Sequence, residues 1–377
     1  AFDAAVADSP ATKLAALYGH GRAKLMLADL AGAKSDFAAV LEVDKNNIGA
    51  QVGLAATLPP EQASQREADL LAILAIKDLE KADPRAVVQA WTLAADVARQ
   101  GGRLDVARDR YGKALALSPT DSAALTGLAA VELRDGKTAA ADDLIQKALA
   151  GAAENVEAQL VAAELAIKQG KLPDANAAIK KLEAHTPPLP PLQQAHLMLV
   201  KGRLLEAQGE DEDAIDAFTQ GAKLAGDLDL SPTMAAVEKL SALAKKASDS
   251  HDDKKAEAYL ARADQLLSSL VTRAQDDAQL AMTLGAAYLQ AGDATKAENL
   301  LRRAVEMRGN DPDAKLQLAK ALAQLGKTDD AVDQLRGALK IDPTRTDIAL
   351  ELARTFERAN RADDATAEYA KLTTRPD

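Results

Sequence analysis

The stretch LGAAYLQAGDATKAENLLRRA, Leu284 to Ala304, decides the fold. Leu284 and Tyr288 stand four residues apart and so share one face of a helix. Gly285 between them leaves room for a second helix to come close. Gly292 suits the left-handed residue that ends a helix. Ala297 is small where the returning helix must cross the first, and Leu301 and Ala304 continue that returning face. The segment reads as two antiparallel helices joined by a tight turn.

One period further on the pattern recurs as Leu318-Ala319, Leu322, Gly326, Ala331, Leu335, Ala338 and Pro343, and again as Leu352-Ala353, Phe356, Asn360, Ala365 and Tyr369. Upstream, Trp91 leads to Ala94-Ala95, Gly102, Ala107, Tyr111, Ala114 and Pro119. A Gly followed five residues later by Ala marks the frame at Gly102/Ala107, Gly136/Ala141, Gly170/Ala175, Gly209/Ala214, Gly292/Ala297 and Gly326/Ala331. The steps from Gly102 to Gly136 to Gly170, and from Gly292 to Gly326, are 34 residues each. Pro119 and Pro343 fit the start of the next helix, where no backbone donor is missed, and Asp and Asn cluster beside them as caps.

This frame resembles the tetratricopeptide repeat family, whose pattern is W-x2-L-G-x2-Y…A-x3-F…P over 34 residues. The resemblance covers nearly the whole chain and implies an all-α fold, an α-solenoid of antiparallel helix pairs wound as a superhelix. Ten units are expected, starting near residues 13, 47, 87, 121, 155, 194, 236, 277, 311 and 345. Residues 1–12 read as the end of a truncated preceding unit, because Phe2, Ala5, Val6 and Pro10 repeat the offsets of Tyr111, Ala114, Leu115 and Pro119. Residues 13–186 form an N-terminal array whose second unit, 47–86, is degenerate, with Pro59-Pro60 interrupting it. Longer, irregular units occupy 187–276, with surplus residues at 185–191 and 226–232 and a helix drawn out through Leu266–Gln275. Residues 277–377 form a regular C-terminal array.

Composition narrows the function. Hydrophobic residues make up 47% but aromatics only 3%, so Ala and Leu dominate and favour close helix packing over a sheet. A formal charge of -11 repels a phosphate backbone, so nucleic acid is not expected as a partner. The absence of Cys excludes disulfides and zinc–thiolate sites. No apolar run approaches the length of a membrane span. The first residues do not read as a signal peptide. A cytoplasmic location is expected, with the periplasm as the alternative.

No catalytic residues, metal site or cofactor are indicated. Gly19-His20-Gly21 lacks the strand and third Gly of a phosphate loop. No two of His20, His185, His196 and His251 stand three or four apart, as a helical metal site would require. Asp249, His251, Asp252 and Asp253 read as a solvated loop, and Pro187–Pro191 as a stiff spacer.

What remains is the groove. The resemblance implies that the first helix of each pair lines a concave face, with ligand contacts at its second, fifth, ninth, twelfth and thirteenth positions. The fifth positions of the later units are largely apolar: Leu199, Met282, Leu316 and Leu350. The ninth are mostly basic: Arg203, Lys245, Lys320 and Arg354. Asp96 and Glu164 occupy the ninth position earlier in the chain. The expectation is an apolar stripe with a basic rim that takes a protein segment, with Met282, Leu316, Lys320, Leu350 and Arg354 foremost and Leu199 and Arg203 beside them. The carboxylate-clamp subfamily reads peptide C-termini through Lys and Asn at set positions; here the fifth positions carry no Lys and the ninth no Asn, so that activity is not carried over. A non-catalytic protein-binding scaffold is the first reading. The Ala-, Asp- and Arg-rich style suggests a high-GC bacterium, where such arrays serve envelope, motility, pilus or secretion machines. The alternative is a substrate-recruiting region of an enzyme whose catalytic part lies outside this chain.

Overall fold

The computed structural model describes residues 10–373; the features at Phe2, Ala5 and Val6 lie outside the described residues. Within them the protein is all-α, with twenty-one α-helices, two short 3-10 turns and no strand. The chain divides into two compact units, Ala1–Pro232 and Thr233–Asp377.

In the first unit the helices are α1 Pro10–Met26, α2 Leu30–Val43, α3 Ile48–Ala56, α4 Ala63–Leu74, α5 Leu79–Ala82, α6 Pro84–Gln100, α7 Leu104–Leu117, α8 Ser122–Arg134, α9 Thr138–Gly151, α10 Val156–Lys168, α11 Leu172–Glu183, α12 Pro191–Gln208 and α13 Asp211–Ala225. In the second they are α14 Ser231–Asp249, α15 Asp253–Val271, α16 Ala278–Gln290, α17 Ala294–Met307, α18 Pro312–Gln324, α19 Thr328–Ile341, α20 Thr346–Arg358 and α21 Ala362–Thr373. Helices α1 and α2, α6 and α7, α8 and α9, α10 and α11, α12 and α13, α16 and α17, α18 and α19, and α20 and α21 pack as pairs, and successive pairs stack within each unit.

Local chemistry sets these helix ends. Asp121, Asn155, Asp277 and Asp311 each accept a hydrogen bond from a backbone N–H of the first turn that follows them. Such caps contribute about 1 kcal/mol apiece. At the other end Gly326 adopts φ 72°, and the Lys327 N–H returns to the Leu322 carbonyl at 2.9 Å, which closes the helix. Asn360 fills the same place in the last pair at φ 57°.

Small residues bring the helices together. Ala107, Ala141, Ala175, Ala214, Ala297 and Ala331 are all fully buried. Gly285 lies against the Leu301 side chain, so closely that a Cβ there would stand 2.5 Å from it. The core is a chain of neighbouring clusters; one joins Leu160, Ile179, Leu197, Val200 and Leu204.

The middle departs from the regular pattern in its helices as well as its connections. The connection before α12 is non-helical from His185 to Pro190, and Leu189 from it is buried in the adjoining core. Much of the surplus is taken up by length: α12 has 18 residues and α14 and α15 have 19 each, against 13 in α16 and α18. The helix α15 stops at Val271, and Arg273–Gln275 form a 3-10 turn. Where Pro59-Pro60 falls, α3 is cut to nine residues and a 3-10 turn precedes α4. No helix among the described residues is long and apolar enough to cross a membrane.

Candidate functional site

In the second unit the first helices of three successive pairs, α16, α18 and α20, lie side by side. A 34-residue repeat brings equivalent positions into rows across them. Ala286, Lys320 and Arg354 make one row, and Gln290, Gln324 and Arg358 the next. These six, with Leu289, Gln317, Glu351 and Glu357, line an open groove of about 720 Å³.

Lys320 and Arg354 therefore come together on one surface, as their spacing implies. The apolar residues do not join them as an exposed stripe. Leu316 is only 6% exposed and Leu199 4%, while Met282 and Leu350 are half-buried. None of the four lines the groove. The reason is angular. At about 100° per residue, Gln317 and Gln324 lie within about 60° of Lys320 on one side of the helix, whereas Leu316 lies about 40° to the other side, toward the wall. The fifth position builds the wall and the sixth, ninth and thirteenth face the groove.

The charges in this groove are unevenly satisfied. Arg358 pairs with Glu351, and Glu357 accepts a hydrogen bond from the Tyr369 hydroxyl at 3.0 Å. Among the described residues, neither Lys320 nor Arg354 makes an ion pair or a side-chain hydrogen bond. Two cations are thus left without an internal counterion on the surface of an acidic chain.

The corresponding surface of the first unit is the opposite case. Arg203 on α12 pairs with Glu164 on α10. The Nδ1 of His196 lies 2.9 Å from Glu157, and its Nε2 3.5 Å from Glu164. On α6, Asp96 accepts a hydrogen bond from the Tyr111 hydroxyl at 2.5 Å and stands 3.5 Å from Arg99. Burial opposes charge on His196, but the carboxylates of Glu157 and Glu164 outweigh it and push its pKa up to about 10. Burial likewise opposes charge on Glu157 and Glu164; His196 outweighs it at both, with Arg203 also acting on Glu164, and both carboxyls are held below their ordinary range. Asp96 moves up, because burial there exceeds the help from Arg99 and Tyr111. Glu157 keeps 47% of its side chain in solvent, so its pairing is partly screened. Arg203 is accordingly paired with Glu164 while 43% of its side chain stays in solvent: it keeps a surface position, but its charge is already engaged.

His196 had a visible signal. Glu157 and Glu164 are seven apart on one helix face, and so are His196 and Arg203. Two matched pairs of opposite charge on first helices of successive units are what a cross-helix cluster looks like in sequence. Among the described residues no group of His, Asp and Glu has the arrangement of a metal site.

A stack of antiparallel helix pairs with a groove built from first helices defines a helical repeat protein. The sequence profile of the tetratricopeptide repeat family matches residues 92–157, 160–229 and 282–346, and a second profile of that family matches 322–375. Together these span more than half of the chain, which belongs to the tetratricopeptide repeat family. Among solved structures, the crystal structure of the APC/C hetero-tetramer Cut9-Hcn1 is similar at 16% identity and a TM-score of 0.42, over 96% of this chain and 73% of that one. No curated protein matches the sequence.

Proposed function

We propose that the chain is a non-catalytic protein-interaction scaffold that holds a segment of a partner protein in the groove of α16, α18 and α20. One observation carries the choice of site: Lys320 and Arg354, one repeat apart, face the groove with no internal ion pair, whereas Arg203 and His196 in the first unit are engaged by Glu157 and Glu164. An unpaired cation on a groove wall is available to a partner carboxylate without first breaking a contact. Met282 and Leu350, half-buried on the same helices, would add apolar contact at the groove's edge, and Leu316 would hold the wall in place. The anchors would supply affinity, while the cations would set association rate and salt dependence. The compositional style favours a bacterial multiprotein assembly as the setting.

The test is capture of partners by the intact chain and by a Lys320→Glu/Arg354→Glu variant, with mass spectrometry of both. A protein captured by the parent and lost from the variant supports the groove. Equal capture by both places the interaction elsewhere.

A further inference from the structure

The rows of the groove have a spacing that selects among backbone conformations. Helices packed in contact stand about 8–10 Å apart, axis to axis. Since α18 packs on both α16 and α20, Lys320 and Arg354 leave the wall about that far apart along the row. A bound β-strand rises about 3.3 Å per residue and repeats its face every second residue, giving about 6.6 Å, shorter than the row, so both cations would have to lean inward to meet it. A polyproline II segment has three residues per turn and rises about 3.1 Å per residue, so every third side chain recurs on one face after about 9.3 Å. That matches the row.

The other lining residues fit the same occupant. A polyproline II backbone makes no internal hydrogen bonds and leaves its N–H and C=O groups to solvent or a partner. Gln317 and Gln324 flank Lys320 on α18, and Gln290 lies in the neighbouring row. Each amide side chain offers both donors and an acceptor to such a backbone. Charge points the same way. The groove holds three cations and two carboxylates, and both carboxylates already accept hydrogen bonds from Arg358 and Tyr369. Ala286 ends the row of the two free cations, so one carboxylate more on that side would meet no counterion.

We infer that the occupant of this groove is an acidic segment in the polyproline II conformation, carrying carboxylates at positions i and i+3 that meet Lys320 and Arg354. This rests on the groove being the partner site, and the two are separable by experiment. The probes are two labelled nine-residue proline-rich peptides of equal composition, one with Glu at i and i+3, the other with Glu at i and i+2. Binding to the full chain is read by fluorescence anisotropy at low salt. The i,i+3 peptide is expected to bind at least about fivefold more tightly, and Lys320→Ala and Arg354→Ala are each expected to weaken it about fivefold, the scale of one ion pair near 1 kcal/mol. Both side chains are solvent-facing and outside the core, and unchanged circular dichroism confirms folded variants. Equal affinity for the two spacings, with both weakened by the variants, overturns the spacing while leaving the groove in place. No measurable binding of the i,i+3 peptide, or binding that neither variant alters, overturns the inference. The groove itself fails only if the charge-reversed chain captures its partners unchanged.

Discussion

The imidazole of His196 on α12 has a carboxylate at each ring nitrogen: Glu157 at 2.9 Å from Nδ1 and Glu164 at 3.5 Å from Nε2. A neutral imidazole carries one N–H and could donate to only one of them. The arrangement therefore calls for the doubly protonated ring, a fixed positive charge between two acidic side chains of α10.

That charge makes the first unit sensitive to alkali. The folded pKa of about 10 lies above the ordinary 6.5, so the stabilisation is fully present below about pH 6.5 and is lost as pH rises through about 10. Thermal unfolding followed from pH 6 to pH 10.5 should show a falling midpoint across that window. His196→Gln should cost about 1–3 kcal/mol at pH 7, as expected for a charged group left without its partner, and should flatten the pH dependence. Glu157, Glu164, Arg99 and Arg203 also act on this cluster, so the slope belongs to it if it is lost in His196→Gln. A resonance assigned to His196, by its loss in His196→Gln, that titrates near 6.5 would show that position 196 is an ordinary neutral ring.

A second test concerns the turns. Gly326 is left-handed at φ 72°, and a Cβ there would meet nothing within 4 Å. Gly326→Ala therefore isolates backbone strain and should cost about 1–2 kcal/mol. His251 and Asn360 occupy the left-handed turn of their own pairs at φ 60° and 57°. His251→Gly should stabilise by up to about 1 kcal/mol, and Asn360→Gly by less, because Asn tolerates this conformation better. Denaturant midpoints measure all three, and a loss of stability in His251→Gly would count against strain at that turn.

The packing gives a third. A Cβ at Gly202 would stand 2.4 Å from the Phe218 ring, across the α12–α13 pair. Gly202→Ala should cost about 1–3 kcal/mol by overpacking. Adding Phe218→Leu should restore part of the loss, because the smaller side chain vacates the space. In a repeat array each unit couples mainly to its neighbours. Hydrogen exchange should thus quicken in α10–α13 before it does in α18–α21; uniform quickening would contradict nearest-neighbour coupling.

Much of the fold was legible because helix pairing depends on local and near-local signals. Gly326 five residues before Ala331 encodes a left-handed turn followed by a crossing, and both are present. Asn360 in the Gly frame was readable for the same reason. The groove was legible only in part. A period of 34 aligned Lys320 with Arg354, but it could not say which side of the helix Leu316 takes, since the wall and the groove differ by a few tens of degrees of rotation. The His196 cluster left only a partial trace, the matched pairs Glu157/Glu164 and His196/Arg203 seven apart on their own helices, and neither pair by itself says that it faces the other. Its meaning arises only when α10 and α12 are brought into contact.

The burial of Leu316 changes how the groove must be tested. If Leu316 were a free anchor, Leu316→Asp would abolish binding and leave the fold intact. At 6% exposure it is a wall residue, and an aspartate there would be desolvated with no cation to meet it. The expected result is a loss of several kcal/mol of stability and local unfolding of α18 and its neighbours, so lost binding would say nothing about contact. Lys320→Glu and Arg354→Glu avoid that confusion, because they change groove charge and leave the core alone. Each should leave the melting temperature within about 1–2 °C of the parent, since a surface change away from the core is worth at most about 0.5 kcal/mol. Each should also weaken an acidic ligand most at low salt, with the difference shrinking as the Debye length falls from about 10 Å at 0.1 M toward 3 Å at 1 M. A melting temperature that drops sharply in Lys320→Glu would show that this lysine holds the wall together and is not the free cation the groove requires.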